Sequence, residues 1–170
     1  VNVFVALLRA VNVGGTGKLA MAELKALCEA AGYTAVRTYI ASGNVVFRAE
    51  AEAAEVKAEL EARLHAHAGR PLGVILRTAA DMAQVAADNP FPGSPGDRVV
   101  VLFLDEVATP LMLEEVRGQG EAEALVLGRR EIYIRYGAGQ ADTKLHIPAA
   151  KRGTARNLNT VAKLAAMSGG

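Results

Sequence analysis

The 170-residue chain has one cysteine, three histidines, no tryptophan, and only four phenylalanines and four tyrosines. Cys28 stands alone, which excludes an intrachain disulfide and gives no sign of secretion. The histidines do not make up for it. His65 and His67 are two apart in a helical stretch and face different ways, and His146 is remote, so no metal site of three or four ligands assembles. An excess of one charge sign is missing too: 19 Lys and Arg against 18 Asp and Glu leave +1, with a pI near 8.1. No global field therefore attracts nucleic acid or a membrane, and such a partner would need a local patch. Apolar runs fall well short of the roughly 20 residues of a membrane span. Val1 to Leu8 lead straight into a strand pattern without signal-peptide features, so the expected address is cytoplasmic. What is present, 51% hydrophobic and 22% charged residues, is the profile of a globular chain able to bury a core.

The apolar residues repeat one order of elements. Val3 to Leu8 is a continuous apolar run of strand length, as expected of a strand buried on both faces. Met21, Leu24, Leu27, Cys28 and Ala31 recur at helical spacing, with Gly32 as the stop. Ala35 to Ile40 and Asn44 to Phe47 read as a hairpin around Ala41-Ser42-Gly43. A second helix runs from Ala51 to about His67, with Val56, Leu60 and Leu64 four apart, and Leu72 to Arg77 closes the series as a strand. Strand, helix, strand, strand, helix, strand is the split βαβ order of a ferredoxin-like unit.

The order then begins again. Ala79 to Asp88 is a connecting helix, and three prolines mark a loop over 89–96. Val99 to Leu104 is an apolar strand and Leu111 to about Arg117 a helix. Ala124 to Leu127 and Glu131 to Tyr136 form a hairpin around Gly128-Arg129-Arg130, and Asn157 to Met167 is the last helix. The prediction is an α+β chain of two ferredoxin-like units with antiparallel sheets, the second lacking a clear final strand. The units span 1–78 and 98–170, joined by 79–97. They share architecture without an obvious common residue pattern.

The best site candidate is the glycine-rich stretch Leu7-Leu8-Arg9-Ala10-Val11-Asn12-Val13-Gly14-Gly15-Thr16-Gly17-Lys18 at the end of the first strand. Glycines let backbone approach a ligand, and Arg9, Asn12 and Lys18 supply donors for an anion. It is not a Walker A loop: Asn12 stands where the first glycine belongs, and Leu19 replaces the magnesium-holding hydroxyl residue. Nor is it a dinucleotide fingerprint, since Ala20 takes the third glycine's place and no parallel sheet follows. The first two strands of a ferredoxin-like unit point the same way, which brings this loop beside the hairpin tip carrying Ser42 and Asn44. The plainer alternative is a tight turn beside a solvated or structurally paired arginine.

The last helix offers a second surface. Arg156, Asn159, Thr160 and Lys163 fall on one helical face, with Leu158, Val161 and Ala165 toward the core and an N-terminal end suited to an anion. A capped helix with a solvated polar face is the alternative, and Lys144 and His146 could extend the patch. Cys28 is expected in the core, Ser42 lacks a nucleophile-elbow context, and the glutamates from Glu50 to Glu61 read as solvated helix surface.

Four segments carry a family resemblance along the chain: Leu7 to Gly15, Thr38 to Phe47 with Ser42-Gly43-Asn44-Val45-Val46-Phe47 at its heart, Asn89-Pro90-Phe91, and Thr154-Ala155-Arg156-Asn157-Leu158-Asn159-Thr160. They resemble the bacterial domain of unknown function 1697 family, typified by L-L-R-G-I-N-V-G-G, S-G-N-V-V-F and T-A-R-N-W-N-T. Here Ala10 replaces the usual Gly, Val11 the Ile and Leu158 the Trp. The resemblance implies paired ferredoxin-like units and no activity.

The leading expectation is a binding module for a small anionic or phosphate-bearing ligand, held by Arg9, Asn12, Lys18, Ser42 and Asn44, with help from Arg156, Asn159 and Lys163. No catalytic set, cofactor, metal or membrane partner is assigned, and the oligomeric state is left open. Hydrolysis of a phosphate ester or anhydride is the alternative by fold analogy. Nucleic-acid binding ranks below it, because it needs exposed aromatic platforms and Phe4, Phe47, Phe103 and Tyr133 are the only candidates. An interaction scaffold is the remaining possibility.

Overall fold

A computed structural model describes residues 1–9, 18–137, 140 and 143–169. The first apolar run becomes β1 (Asn2–Leu8), with β3 (Asn44–Ala49) on one side and β4 (Val74–Thr78) on the other. Strand β2 (Thr34–Thr38) adds outside β3, and every pairing is antiparallel. The sheet order β2-β3-β1-β4 is that of a ferredoxin-like unit. Alternation along β1 sends Phe4, Ala6 and Leu8 into a cluster with Leu24 and Cys28 of α1 (Met21–Ala30) and Val56, Leu60 and Leu64 of α2 (Ala53–Ala68). Val5 and Leu7, on the other face, are equally buried, which explains why β1 reads as an unbroken apolar run. Each buried leucine here contributes about 1.5–3 kcal/mol of apolar transfer energy. A helix of α2's composition gains little from its own hydrophobic bias. Its register is fixed instead by the row Val56, Leu60 and Leu64, and it stops at Gly69, whose φ of 74° suits the left-handed cap.

Strand β4 has a sheet neighbour on one side only, and side chains serve its other edge. Glu61 Oε2 accepts from the Val74 N–H at 2.9 Å, while Lys57 Nζ donates to the Val74 carbonyl at 2.5 Å and to Glu61 at 2.9 Å. Further along, Arg77 Nη1 donates to the Leu76 carbonyl, and the Thr78 N–H donates to Asp81 Oδ2 at 3.0 Å.

The second sheet has the same plan, ordered β6 (Ala124–Leu127), β7 (Glu131–Arg135), β5 (Val99–Leu104), β8 (Gly153–Asn157). Here the structure corrects the sequence pattern: the final strand exists. It was hidden because β8 reads Gly-Thr-Ala-Arg-Asn, a polar segment at the sheet edge without apolar alternation. The helical layer is also reduced. Helix α4 (Pro110–Glu114) is shorter than the expected 111–117, and a five-residue 3-10 turn, Pro148–Arg152, stands where the first unit has α2. Val100, Leu102, Leu104, Ile132 and Ile134 form the core with Met112 and Ile147.

The duplication extends to residue register. Arg77 of β4 lies opposite Val5 of β1, and Arg156 of β8 lies opposite Val101 of β5. Each arginine is followed by the residue that caps the next helix. Thr78 Oγ1 accepts from the Asp81 N–H ahead of α3 (Ala79–Ala87), and Asn157 Oδ1 accepts from the Thr160 N–H in α5 (Leu158–Met167). The two halves therefore share an arginine, a cap and a helix at matching positions. Two compact units result, Val1–Ala83 with Leu164–Gly170, and Gln84–Lys163. No helix among the described residues is long and apolar enough to cross a membrane.

Candidate functional site

The end of β1 is tied on both sides. The Leu8 N–H donates to the Gly43 carbonyl of the hairpin tip at 2.9 Å, and the Arg9 N–H donates to the Gly73 carbonyl, just before β4, at 2.9 Å. The hairpin tip and the end of β1, where Arg9 leaves the strand, thus lie at one edge of the first unit, as the strand directions require. Arg9 is half-buried, and its side chain lies across Gly73, where a Cβ would stand 2.9 Å from Arg9 Cδ and 3.3 Å from Nη1. The missing side chain at Gly73 is what admits the arginine. Sequence reasoning overlooked this residue, although a glycine directly before an apolar strand is a recognised mark of close approach.

The hairpin tip is shaped by Asn44. Its side chain is 0% exposed, and Nδ2 donates to the Tyr39 carbonyl at 2.8 Å and to Ser42 Oγ at 3.0 Å. Both amide protons are engaged inside the turn, so Asn44 builds the site's frame and is not placed as a ligand contact. The same turn holds Gly43 at φ 89° and, less comfortably, Ile40 at φ 49°. A β-branched residue in the left-handed region is a strained conformation, and Ile40 is also 49% exposed. Ser42 is half-buried and Lys18 is exposed. Asn12 lies outside the described residues, as do its neighbours from Ala10 to Gly17.

The second predicted surface is rearranged. Arg156 and Thr160 do not share an exposed helical face with Asn159 and Lys163. Arg156 belongs to β8, is 7% exposed, and donates through Nη1 to Thr154 Oγ1 at 2.6 Å and the Ala155 carbonyl at 2.9 Å. Burial pushes its guanidinium down to about 10, which leaves it charged at neutral pH and in need of those acceptors. Thr160 is buried behind the Asn157 cap. Asn159 and Lys163 are exposed, and the Asn159 amide covers Gly96, where a Cβ would lie 2.1 Å from Oδ1. Arg156, Asn159 and Lys163 belong to the second unit, and Arg9, Lys18, Ser42 and Asn44 to the first.

Other chemistries find little purchase. Cys28 is fully buried, and burial, with Glu29 nearby, pushes its thiol up to about 12. Phe4, Phe47, Phe103 and Tyr133 are all interior, so none offers a base-stacking platform. Among the described residues no group of three or more His, Cys, Asp and Glu could hold a metal ion. A buried arginine was the feature most missed by sequence reasoning: Arg77 is 1% exposed, and a lone arginine in an otherwise apolar strand was the available signal.

No curated protein matches the sequence. Among solved structures, that of the conserved bacterial protein SP0830 from Streptococcus pneumoniae is similar, with a TM-score of 0.80 over 98% of each chain and 24% sequence identity, a likeness of fold. The family model described as a protein of unknown function, DUF1697, matches residues 1–133, and the chain belongs to that family.

Proposed function

We propose that the chain binds a small anionic, phosphate-bearing ligand at the edge where β1 ends, through Arg9, Lys18 and Ser42, with Asn12 from the same loop. The observation that supports this reading is the double tie at Leu8 and Arg9. It holds Arg9, at the end of β1, on the same edge as the hairpin tip, although about thirty residues separate them in sequence. Arg9 supplies a permanently charged planar donor set, Ser42 a hydroxyl and Lys18 an ammonium. Asn44 holds the Ser42 hydroxyl in place rather than meeting the ligand.

Titration with inorganic phosphate and pyrophosphate, followed by calorimetry, tests the reading. Arg9→Gln is expected to weaken binding by about tenfold, the loss of one charge-assisted contact. Unchanged affinity in that variant overturns the proposal. The fold analogy with phosphate-ester hydrolases has no structural observation in its favour beyond the fold itself.

A further inference from the structure

The Asn89-Pro90-Phe91 motif takes no part in the site above, yet it builds something specific in the second unit. Asn89 Oδ1 accepts from the Phe91 N–H at 2.9 Å, and the Ser94 N–H donates to the Phe91 carbonyl at 3.0 Å. This turn sets the Phe91 ring beneath the guanidinium of Arg135, whose central carbon lies 5.3 Å from the ring centroid. Arg98 approaches from the start of β5, where its Nη1 donates to the Gly137 carbonyl and its own carbonyl accepts from the Tyr136 N–H at 2.8 Å. Arg98, Arg135, Ser94 and Tyr136 line one recess of about 290 Å³.

The recess is rich in donors and poor in anions. Among the described residues, the guanidinium of Arg135 and the hydroxyls of Ser94 and Tyr136 have no hydrogen-bond partner. No carboxylate is among the lining residues. Glu123 lies close enough that, after burial, its charge helps push the Tyr136 hydroxyl's pKa up, while its own oxygens accept from the Gly120 N–H at 2.7 Å and from Thr143 Oγ1. Among the described residues that line the recess, the two guanidiniums face no carboxylate, a donor set that suits a dianion. We infer that this recess is a second anion site, which receives the phosphate of a small phosphate monoester, with Arg135 and Arg98 on its oxygens and Ser94 and Tyr136 donating from the rim. Its volume lies at the small end of ligand cavities, which suits a phosphate group and the first atoms of its ester better than a large molecule. The phosphate dianion has three terminal oxygens and nearly two negative charges, matching the donor count better than a carboxylate does.

This inference is independent of the Arg9 site, and one experiment separates the two. Phenyl phosphate, inorganic phosphate and benzoate are titrated into the full chain while the backbone amide signals of Ser94, Arg98 and Gly137 are followed by NMR. Phenyl phosphate is expected to move these signals, with affinity falling about tenfold or more in Arg135→Gln and in Arg98→Gln and unchanged in Arg9→Gln. Arg135→Lys should fall nearly as far, because it keeps the charge but loses the planar fork. If Arg135→Gln does not fold, Ser94→Asp, which adds a carboxylate to the rim, should abolish binding. No movement of these signals, movement that survives both glutamine variants, or benzoate binding as tightly as phenyl phosphate would each overturn the inference. Inorganic phosphate binding equally well would overturn the monoester assignment.

Discussion

Replacing Asn44 tests whether the hairpin tip is held from within. The side chain is fully buried and donates two hydrogen bonds, to the Tyr39 carbonyl and to Ser42 Oγ. Asn44→Ala removes both, at a net cost of about 0.5–1.5 kcal/mol each, and leaves the Tyr39 carbonyl short of one donor. The sum is about 1–3 kcal/mol. At roughly 2–4 °C per kcal/mol for a chain of this size, the midpoint of thermal unfolding should drop by about 2–12 °C. Asn44→Asp is the sharper probe, because it sets a carboxylate oxygen where an N–H now faces a carbonyl at 2.8 Å. It should cost more than alanine does, about 3–5 kcal/mol, as expected when a buried charge is left unpaired. Circular dichroism melts with urea titrations give both numbers. An alanine variant within about 0.5 kcal/mol of the parent, or an aspartate variant milder than the alanine, refutes the account of the turn.

Gly73→Ala moves Arg9 without deleting it, since the new Cβ would stand 2.9 Å from Arg9 Cδ. Anion binding at the first site should weaken while the melting midpoint holds within about 2 °C; undiminished binding would show that the present placement of Arg9 is unimportant. Gly153→Ala should instead destabilise by about 1–3 kcal/mol, because its Cβ would meet the Phe103 backbone oxygen at 2.3 Å and no side chain can swing away; a neutral melt would contradict the β5–β8 register. Cys28 should resist thiol reagents in the native chain near pH 8 and react as one thiol per chain in denaturant, and rapid native labelling would refute its burial. Cys28, Tyr33 and Tyr133 are all raised above their ordinary values, chiefly by burial. Their contribution to stability is whole below the thiol's ordinary 9.0 and is lost as pH climbs through the raised values, so urea midpoints should fall on the alkaline side.

Most of the fold was legible because the strands and helices of the first unit carry strong apolar periodicity. Val3 to Leu8, the row Val56, Leu60 and Leu64, and Val99 to Leu104 could hardly be read otherwise. Strand β8 was illegible for a physical reason: it bonds through backbone at a sheet edge, and its residues were free to be polar. The same segment misled the site reading, since Arg156 looked like a helical surface residue when only the helix behind it was visible. Asn44 reads from the sequence as a ligand donor at the hairpin tip. What the sequence could not show was the direction of its amide, which points into the hairpin. Arg98 and Arg135 were missed because their convergence depends on β-sheet pairing across thirty-seven positions and on Phe91, residues that share no local pattern.

The outer edge of β4 has a consequence for how this chain can go wrong. Its outward groups at Val74, Leu76 and Thr78 bond to Glu61, Lys57, Arg77 and Asp81. An incoming strand from another molecule finds these backbone positions already occupied, so the β4 edge is a poor template for strand-by-strand growth. Two of those guards, Lys57 and Glu61, ride on the middle of α2. Fraying of α2 therefore uncovers the Val74 groups of this edge before the sheet itself opens, and conditions that fray α2 should expose it more than conditions that merely lower overall stability.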